Sequence, residues 1–380
     1  MSTRSERVLR HREDPVSASF LELFFDLAFV FALSQLAAVL LADLSIVGVL
    51  RTALLLGATW WLWTTTAWMT DWYTPQAPVV RVLLVGATLG GLFMAVALPA
   101  ALDGEAALFV GAYVSVNLVR SVFSSLALRG HPRRRRSLRI LAWYAVSSVF
   151  WLAGVWLPAA RVPLWAFALT VEYVGPGTGW PLPGLGRARR EELHLTGGHL
   201  SERFQQVFVI SLGELILTAG VTYHRSGTGA AHTVAFLLTF ATAVLLGLLY
   251  VTPAGRSLGP ALERADPTRL GAATGYLHLA MIAGVVATAA GAELIIAHPD
   301  EPGTAGVIVA GPALFLAGRL LLSAAIHRRL SWTRLAGLPA IVVAGLLTRD
   351  HPLLAAAAAT TGVLLVVAVL DYRSEIFNPR

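Results

Sequence analysis

Apolar stretches of close to twenty residues follow one another almost without pause along this chain, joined by short connectors that carry arginine. A bilayer core takes roughly 20 helical residues to cross. Lipid offers the backbone no hydrogen-bond partners, so such stretches must bond internally as helices. Twelve candidate spans can be read. The first six run about 20–42, 46–67, 79–100, 105–128, 139–158 and 160–174, and the second six about 203–222, 232–252, 271–297, 306–327, 332–348 and 353–370. Two of these, 160–174 and 332–348, are short for a crossing. The expected fold is all-α, a polytopic transmembrane helical bundle of about twelve spans. Only 13% of the 380 residues are charged and 56% are hydrophobic. A soluble domain carries about 25% charge, so this chain lacks the polar groups to coat a water-facing surface.

The basic residues test the count. All 29 are Arg, and they fall unevenly when connectors are numbered alternately from an inside N-terminus. Arg4, Arg7, Arg10, Arg12, Arg81, Arg129, Arg133–Arg136, Arg139, Arg187, Arg189, Arg190, Arg256, Arg264, Arg269, Arg328, Arg329, Arg334, Arg373 and Arg380 fall inside. Arg51, Arg161, Arg225 and Arg349 fall outside, and Arg120, Arg203 and Arg319 lie within spans. That asymmetry is what the positive-inside rule expects with both termini cytoplasmic. It also accounts for the net charge of +7 and the Arg133–Arg136 run without nucleic acid. Without 160–174 as a crossing, every later connector would flip, so that segment is expected to cross. Removing 332–348 changes little, so eleven spans with an outside C-terminus stay open. No cysteine is present, which excludes disulfides and thiolate chemistry. Residues 1–19 form a basic cytoplasmic tail with no signal-peptide pattern.

A Gly/Pro-rich loop, 175–202, divides a first six-helix half (20–174) from a second (203–370), and 371–380 is a C-terminal tail. Phe25, Phe29, Val30 and Leu33 lie 179 residues before Phe204, Phe208, Val209 and Leu212. A true repeat of that register would be a parallel 6+6 arrangement; the alternative is two unrelated halves.

Ionisable groups inside spans are costly and need a partner. Glu22 and Asp26 are four residues apart in the first span and share one helical face. Arg203 and Glu214 are eleven apart in the seventh, again on one face, with His199 and Gln206 near that line. Glu214 is the deepest acid of that span, about 18 Å beyond Glu202 by helical rise, which makes it a proton-carrier candidate. Arg120 and Asn117 lie in the fourth span, Glu172 ends the sixth, His278 lies in the ninth and Arg319 in the tenth. Asp26, Arg120, Glu202, Arg203, His278 and Arg319 count to similar depths, so one ion-paired cluster is expected. Its role is either to lock helices together or to form an ion, proton or anionic-substrate site. His199-x-x-Glu202 has metal-binding spacing, but no second pair accompanies it, so no metal is expected. Trp60, Trp61, Trp63, Trp68 and Trp72 are expected to form an interfacial aromatic belt, with a stacking site for a cyclic substrate as the alternative. No phosphate loop or nucleophile elbow is found, and no cofactor is expected.

Glu22-Leu-Phe-Phe-Asp26 followed by Phe29-Val30-Phe31 resembles the N-terminal signature of the bacterial low temperature requirement A family. Gly198-His199-x-x-Glu202-Arg203-Phe204 running on to Leu212-Gly213-Glu214 is similar to a second family motif. Tyr173-x-Gly175-Pro176, Pro183-Gly184-Leu185-Gly186 and His278-x-x-Met281-x-Ala283-Gly284 add to the likeness, in order along nearly the whole chain. Leu215 stands where the family often has Ser after Gly-Glu, and Glu172 where Asp is common. The resemblance implies a multi-pass protein of the bacterial plasma membrane, linked by name to growth in the cold, and implies no substrate or reaction. Its motif positions map onto Glu22, Asp26, Arg120, His199, Glu202, Arg203, Glu214 and His278.

The leading expectation is a transporter or channel-like protein for an ion or small solute. Glu214 and Asp26 would titrate or bind cation, balanced by Arg120 and Arg203. The alternatives are an intramembrane enzyme on a lipid or lipid-linked substrate, with His199 and Glu202 as acid–base pair, or a scaffold or sensor whose charges hold helices together. The lipid bilayer is the one partner expected outright, and nucleic acid is not one. Oligomeric state is left open.

Overall fold

Helices form wherever the apolar stretches predict them, and no strand is present among the described residues. The computed structural model describes residues 8–11, 14–188, 192, 196–251, 253–264, 270–302 and 305–377, and within these not the side chains of 253–257, 264 and 374–377. Arg4, Arg7, Arg12, Arg189, Arg190, Arg269 and Arg380, and the side chains of Arg256 and Arg264, therefore lie outside the described residues. Thirteen α-helices are described: α1 (Phe20–Ala42), α2 (Ile46–Trp72), α3 (Pro78–Ala97), α4 (Ala106–Ala127), α5 (Arg134–Trp156), α6 (Arg161–Thr178), α7 (Gly197–Ser226), α8 (Ala230–Val251), α9 (Pro253–Arg264), α10 (Ala272–Ala297), α11 (Gly306–His327), α12 (Trp332–Leu347) and α13 (Leu353–Phe377). Ten are long and apolar enough to cross a bilayer. The two short candidates are helices too, α6 and α12. The chain is a multi-pass membrane protein.

Helices α2 and α13 run several residues past their expected ends, and three other boundaries differ in ways that matter for the polar groups. Helix α5 begins at Arg134, so the arginine run enters the helix rather than staying in a solvated loop. Arg136 and Arg139 are buried there, and Arg139 donates to the Leu185 carbonyl and the Glu192 carboxylate. Those acceptors stabilise cations that would otherwise be held in water. Helix α6 runs through Gly175-Pro176-Gly177 and stops at Gly179, which adopts φ +73 and accepts no Cβ comfortably. Helix α7 starts at Gly197 rather than near 203, which draws His199 and Glu202 into its first turns. Helix α9, inside a connector, has no counterpart in the twelve spans; it buries Leu258 and Leu262.

The chain divides into two compact units. The first comprises Met1–Leu36, Leu50–Gln206 and Gly259–Ala272. In it, α3 packs on α4, α4 on α5 and α5 on α6. Val8 and Leu9 lie against the end of α2, where Arg10 N–H donates to the Trp72 carbonyl at 3.1 Å and Thr74 N–H to the Val8 carbonyl at 3.0 Å. Trp60, Trp61 and Trp63 are fully buried, not lipid-facing, so the expected aromatic belt is a core. Their spacing turns them inward, where Trp60 stacks on Trp63 at 4.8 Å and Trp61 donates to the Tyr144 hydroxyl.

The second unit comprises Ala37–Val49, Val207–Leu258 and Ala273–Arg380. There α13 packs on α8 and α12, and α11 on α12. Gly284 and Gly291 of α10 meet α11 at backbone distance, as Gly311 and Gly318 of α11 meet α10. Each pair is seven residues apart, two turns, so each lines one face. Small residues let helices in lipid approach closely where hydrophobic driving force is weak. Arg334 and Asp371 form a buried ion pair at 2.6 Å between α12 and α13, with Thr333 also bonded to the carboxylate.

Candidate functional site

The first turns of α1 set two carboxylates inside the first unit. Ser19 precedes the helix, and Glu22 reaches back to the Ser19 N–H at 2.7 Å and its hydroxyl at 2.8 Å. Ser-x-x-Glu at a helix start is a capping box, so Glu22 serves the backbone with one oxygen. One turn deeper, about 9 Å along α1 from Phe20 to Asp26, the second acid meets α7. Arg203 Nη1 donates to Asp26 Oδ2 at 2.8 Å and Nη2 to Oδ1 at 2.7 Å. Trp63 Nε1 adds a third bond to Oδ1 at 2.8 Å. This fork-to-fork geometry is the strong form of an ion pair. Arg203 and Asp26 are each 0% exposed.

The other oxygen of Glu22 faces His199. Its Oε1 lies 3.0 Å from His199 Nε2, and Asp71 Oδ1 lies 3.2 Å from His199 Nδ1. Asp71 Oδ2 meanwhile accepts from the Thr196 N–H at 2.7 Å, next to the start of α7. An imidazole thus bridges two buried carboxylates. Each ring nitrogen faces an acceptor, so each contact requires a proton. Two arrangements satisfy this: an imidazolium between two carboxylates, or a neutral imidazole with one protonated acid. Both carry one net negative charge, so a proton can pass from acid to ring to acid without changing the charge of the group. Arg203 Nε lies 3.9 Å from Glu22 Oε1, which joins the bridge to the Asp26 pair.

Glu22, Asp26, His199 and Arg203 therefore come together. The other candidate residues do not join them. Glu202 accepts from the Ala18 N–H at 3.2 Å and the Gln206 amide at 2.8 Å, so it is not the partner of His199. The spacing of His199-x-x-Glu202 suggested that pairing, but His199 turns to acids on α1 and α2. Arg120 donates to Thr66, Thr65 and Asn117 at 3.0, 2.7 and 2.5 Å. Glu214 and His278 belong to the second unit. Glu214 is half-buried and accepts from Thr218 at 3.2 Å; His278 is buried against the Tyr250 hydroxyl and the Thr274 carbonyl at 3.0 and 2.8 Å. Arg319, also in the second unit, donates to the Leu249 carbonyl. Within the first unit the expected single cluster is divided, with Glu202 and Arg120 bonded elsewhere, because depth along a span does not say which way a side chain faces.

Asp71 escapes sequence reasoning, and Glu172, noted at the end of the sixth span, is not among the candidate site residues. Asp71 is a lone acid one residue from the end of α2, a signal as visible as Glu22 itself. Glu172 is buried and takes bonds from Ser147 at 2.7 Å, Trp151 at 3.0 Å and Tyr113. Its neutral donors are scattered over α4 and α5, so no motif announces them. Among the described residues no set of three His, Asp or Glu side chains is arranged to hold a metal ion.

A family model described as "Bacterial low temperature requirement A protein (LtrA)" matches residues 17–369. An uncharacterized protein of Rhizobium meliloti (strain 1021), RA0937, is 36% identical over 375 residues, which cover 96% of this chain and 91% of that one. No solved structure matches.

Proposed function

The chain belongs to the bacterial low temperature requirement A family, and from that premise we propose that it is a proton-linked transporter of an ion or small solute. The observation that carries this reading is His199 held between Glu22 and Asp71 in the first unit. A histidine with an acid on each nitrogen can take a proton from one side and release it on the other. Intramembrane chains of Asp, Glu and His serve as proton relays in pumps and transporters. The Asp26–Arg203 pair is the fixed element beside the relay, and Glu214, in the second unit, is a separate candidate titrating acid. The arginine asymmetry supports a topology with both termini cytoplasmic, and membership of a bacterial family supports a location in the bacterial plasma membrane.

A second reading has its own support. Asp26 and Arg203 are fully enclosed and joined by two hydrogen bonds, as a latch between helices would be. Proteoliposomes loaded with a pH-sensitive dye separate the two. The transport reading expects proton flux dependent on a sodium, potassium or solute gradient, lost about tenfold or more in His199→Gln and lowered in Glu214→Gln with folding retained. Equal flux in His199→Gln and the parent removes the relay. No flux in the parent under any gradient, with Asp26→Asn lowering thermal stability, selects the latch.

A further inference from the structure

Away from the relay, the first unit holds a cavity between α2, α4 and α5 whose polar lining is guanidinium, indole N–H and hydroxyl groups, with no carboxylate. Arg120 and Arg136 both face it, 7% and 1% exposed. Neither has a carboxylate within ion-pair distance among the described residues. All three side-chain bonds of Arg120 go to neutral oxygens, and Arg136 donates to the Glu192 carbonyl at 2.6 Å and meets the neutral Tyr73 hydroxyl, while its guanidinium carbon sits 3.9 Å over the Trp72 ring. Two buried cations with no carboxylate in contact, Glu172 and Glu192 acting on them only from further off, are costly, because a charge out of water needs close pairing.

The same wall carries orphaned donors. Trp68 Nε1 and Trp72 Nε1 are buried with no hydrogen-bond partner among the described residues, and the Tyr73 hydroxyl and Arg136 Nε, which face one another, make no bond of good geometry. All four belong to residues that line this one cavity. Buried polar groups are paired in the great majority of cases, so two unpaired indole N–H groups beside a loosely bonded Tyr73–Arg136 contact, all on residues lining one space, ask for an acceptor there. N–H and O–H groups beside two guanidinium cations select an acceptor that is also negative. Trp72 ends α2 and Arg136 is the third residue of α5, so the site opens at the helix ends, where headgroups lie; Arg120 sits about 10 Å deeper, seven residues before the end of α4.

We propose that this cavity binds a phosphate-class oxyanion, free or carried on a lipid headgroup, held by Arg120 and Arg136 with Trp68, Trp72 and Tyr73 as neutral donors. The site stands whether or not the relay moves protons, since its test is binding. Full-length protein is titrated with inorganic phosphate by calorimetry in delipidated neutral detergent. In parallel, its thermal stability is measured in nanodiscs of phosphatidylcholine with and without phosphatidic acid. Saturable phosphate binding at one per chain marks a free anion; stabilisation by phosphatidic acid alone marks a lipid headgroup. In either arm Arg136→Gln weakens the effect about tenfold, and Trp68→Phe, which keeps the ring and removes one donor, about threefold. Should Arg136→Gln fail to fold, Trp68→Phe and Tyr73→Phe decide. The proposal is overturned if neither arm shows saturable binding, or if the folded variants bind as the parent does.

Discussion

Asp26 carries three hydrogen bonds from two side chains, and its neighbours leave it no water to replace them. Removing its charge strands Arg203. Breaking one side of a buried pair costs about 3–5 kcal/mol, much of it the penalty of the unpaired partner. Asp26→Asn is therefore expected to lower the unfolding temperature in detergent sharply. The double variant Asp26→Asn with Arg203→Met should recover much of that loss, since no orphaned cation remains. An unchanged unfolding temperature in Asp26→Asn would show that the pair contributes nothing net. His199 differs in kind: its value lies in having two acid partners, and His199→Gln keeps polar contacts while removing the shared protons.

Among the helices, α10 and α11 are held by what they lack. A Cβ at Gly311 would lie 2.5 Å from the Thr288 backbone nitrogen, and one at Gly284 would lie 2.6 Å from that of Phe315. Backbone cannot give way as a flexible side chain can. Gly311→Ala should cost about 1–3 kcal/mol, read as a lower unfolding temperature. Gly213 of α7 has nothing within 4 Å of its Cβ position, so Gly213→Ala should stay within about 0.5 kcal/mol of the parent. Equal effects at both positions would mean that the α10–α11 contact is not close-packed in the membrane. Helix α1 shows the same economy at its start, where Ser19 and Glu22 satisfy one another and leave Glu22 Oε1 to face His199.

For the molecule as a whole, sidedness is the property most open to direct test, and the absence of cysteine makes the test clean. Exposed Asp103, on the connector before α4, and exposed Arg135, in the first turn of α5, lie on opposite sides of the membrane in the proposed topology. Asp103→Cys should react with an impermeant thiol reagent on intact cells, and Arg135→Cys only after permeabilisation. The reverse pattern would invert the topology. Sequence alone determined that this is a helical multi-pass membrane protein of its family, because lipid admits few backbone solutions and apolar length is additive along the chain. It also exposed Glu22, Asp26, His199 and Arg203, since an ionisable group stands out in an apolar run. Only the tertiary structure decided that His199 turns to Glu22 and Asp71 rather than Glu202, that the tryptophans of α2 face inward, and that Arg120 and Arg136 share a cavity. Those pairings join residues up to 177 positions apart, and which helix faces which is set by packing in three dimensions, not by any local period.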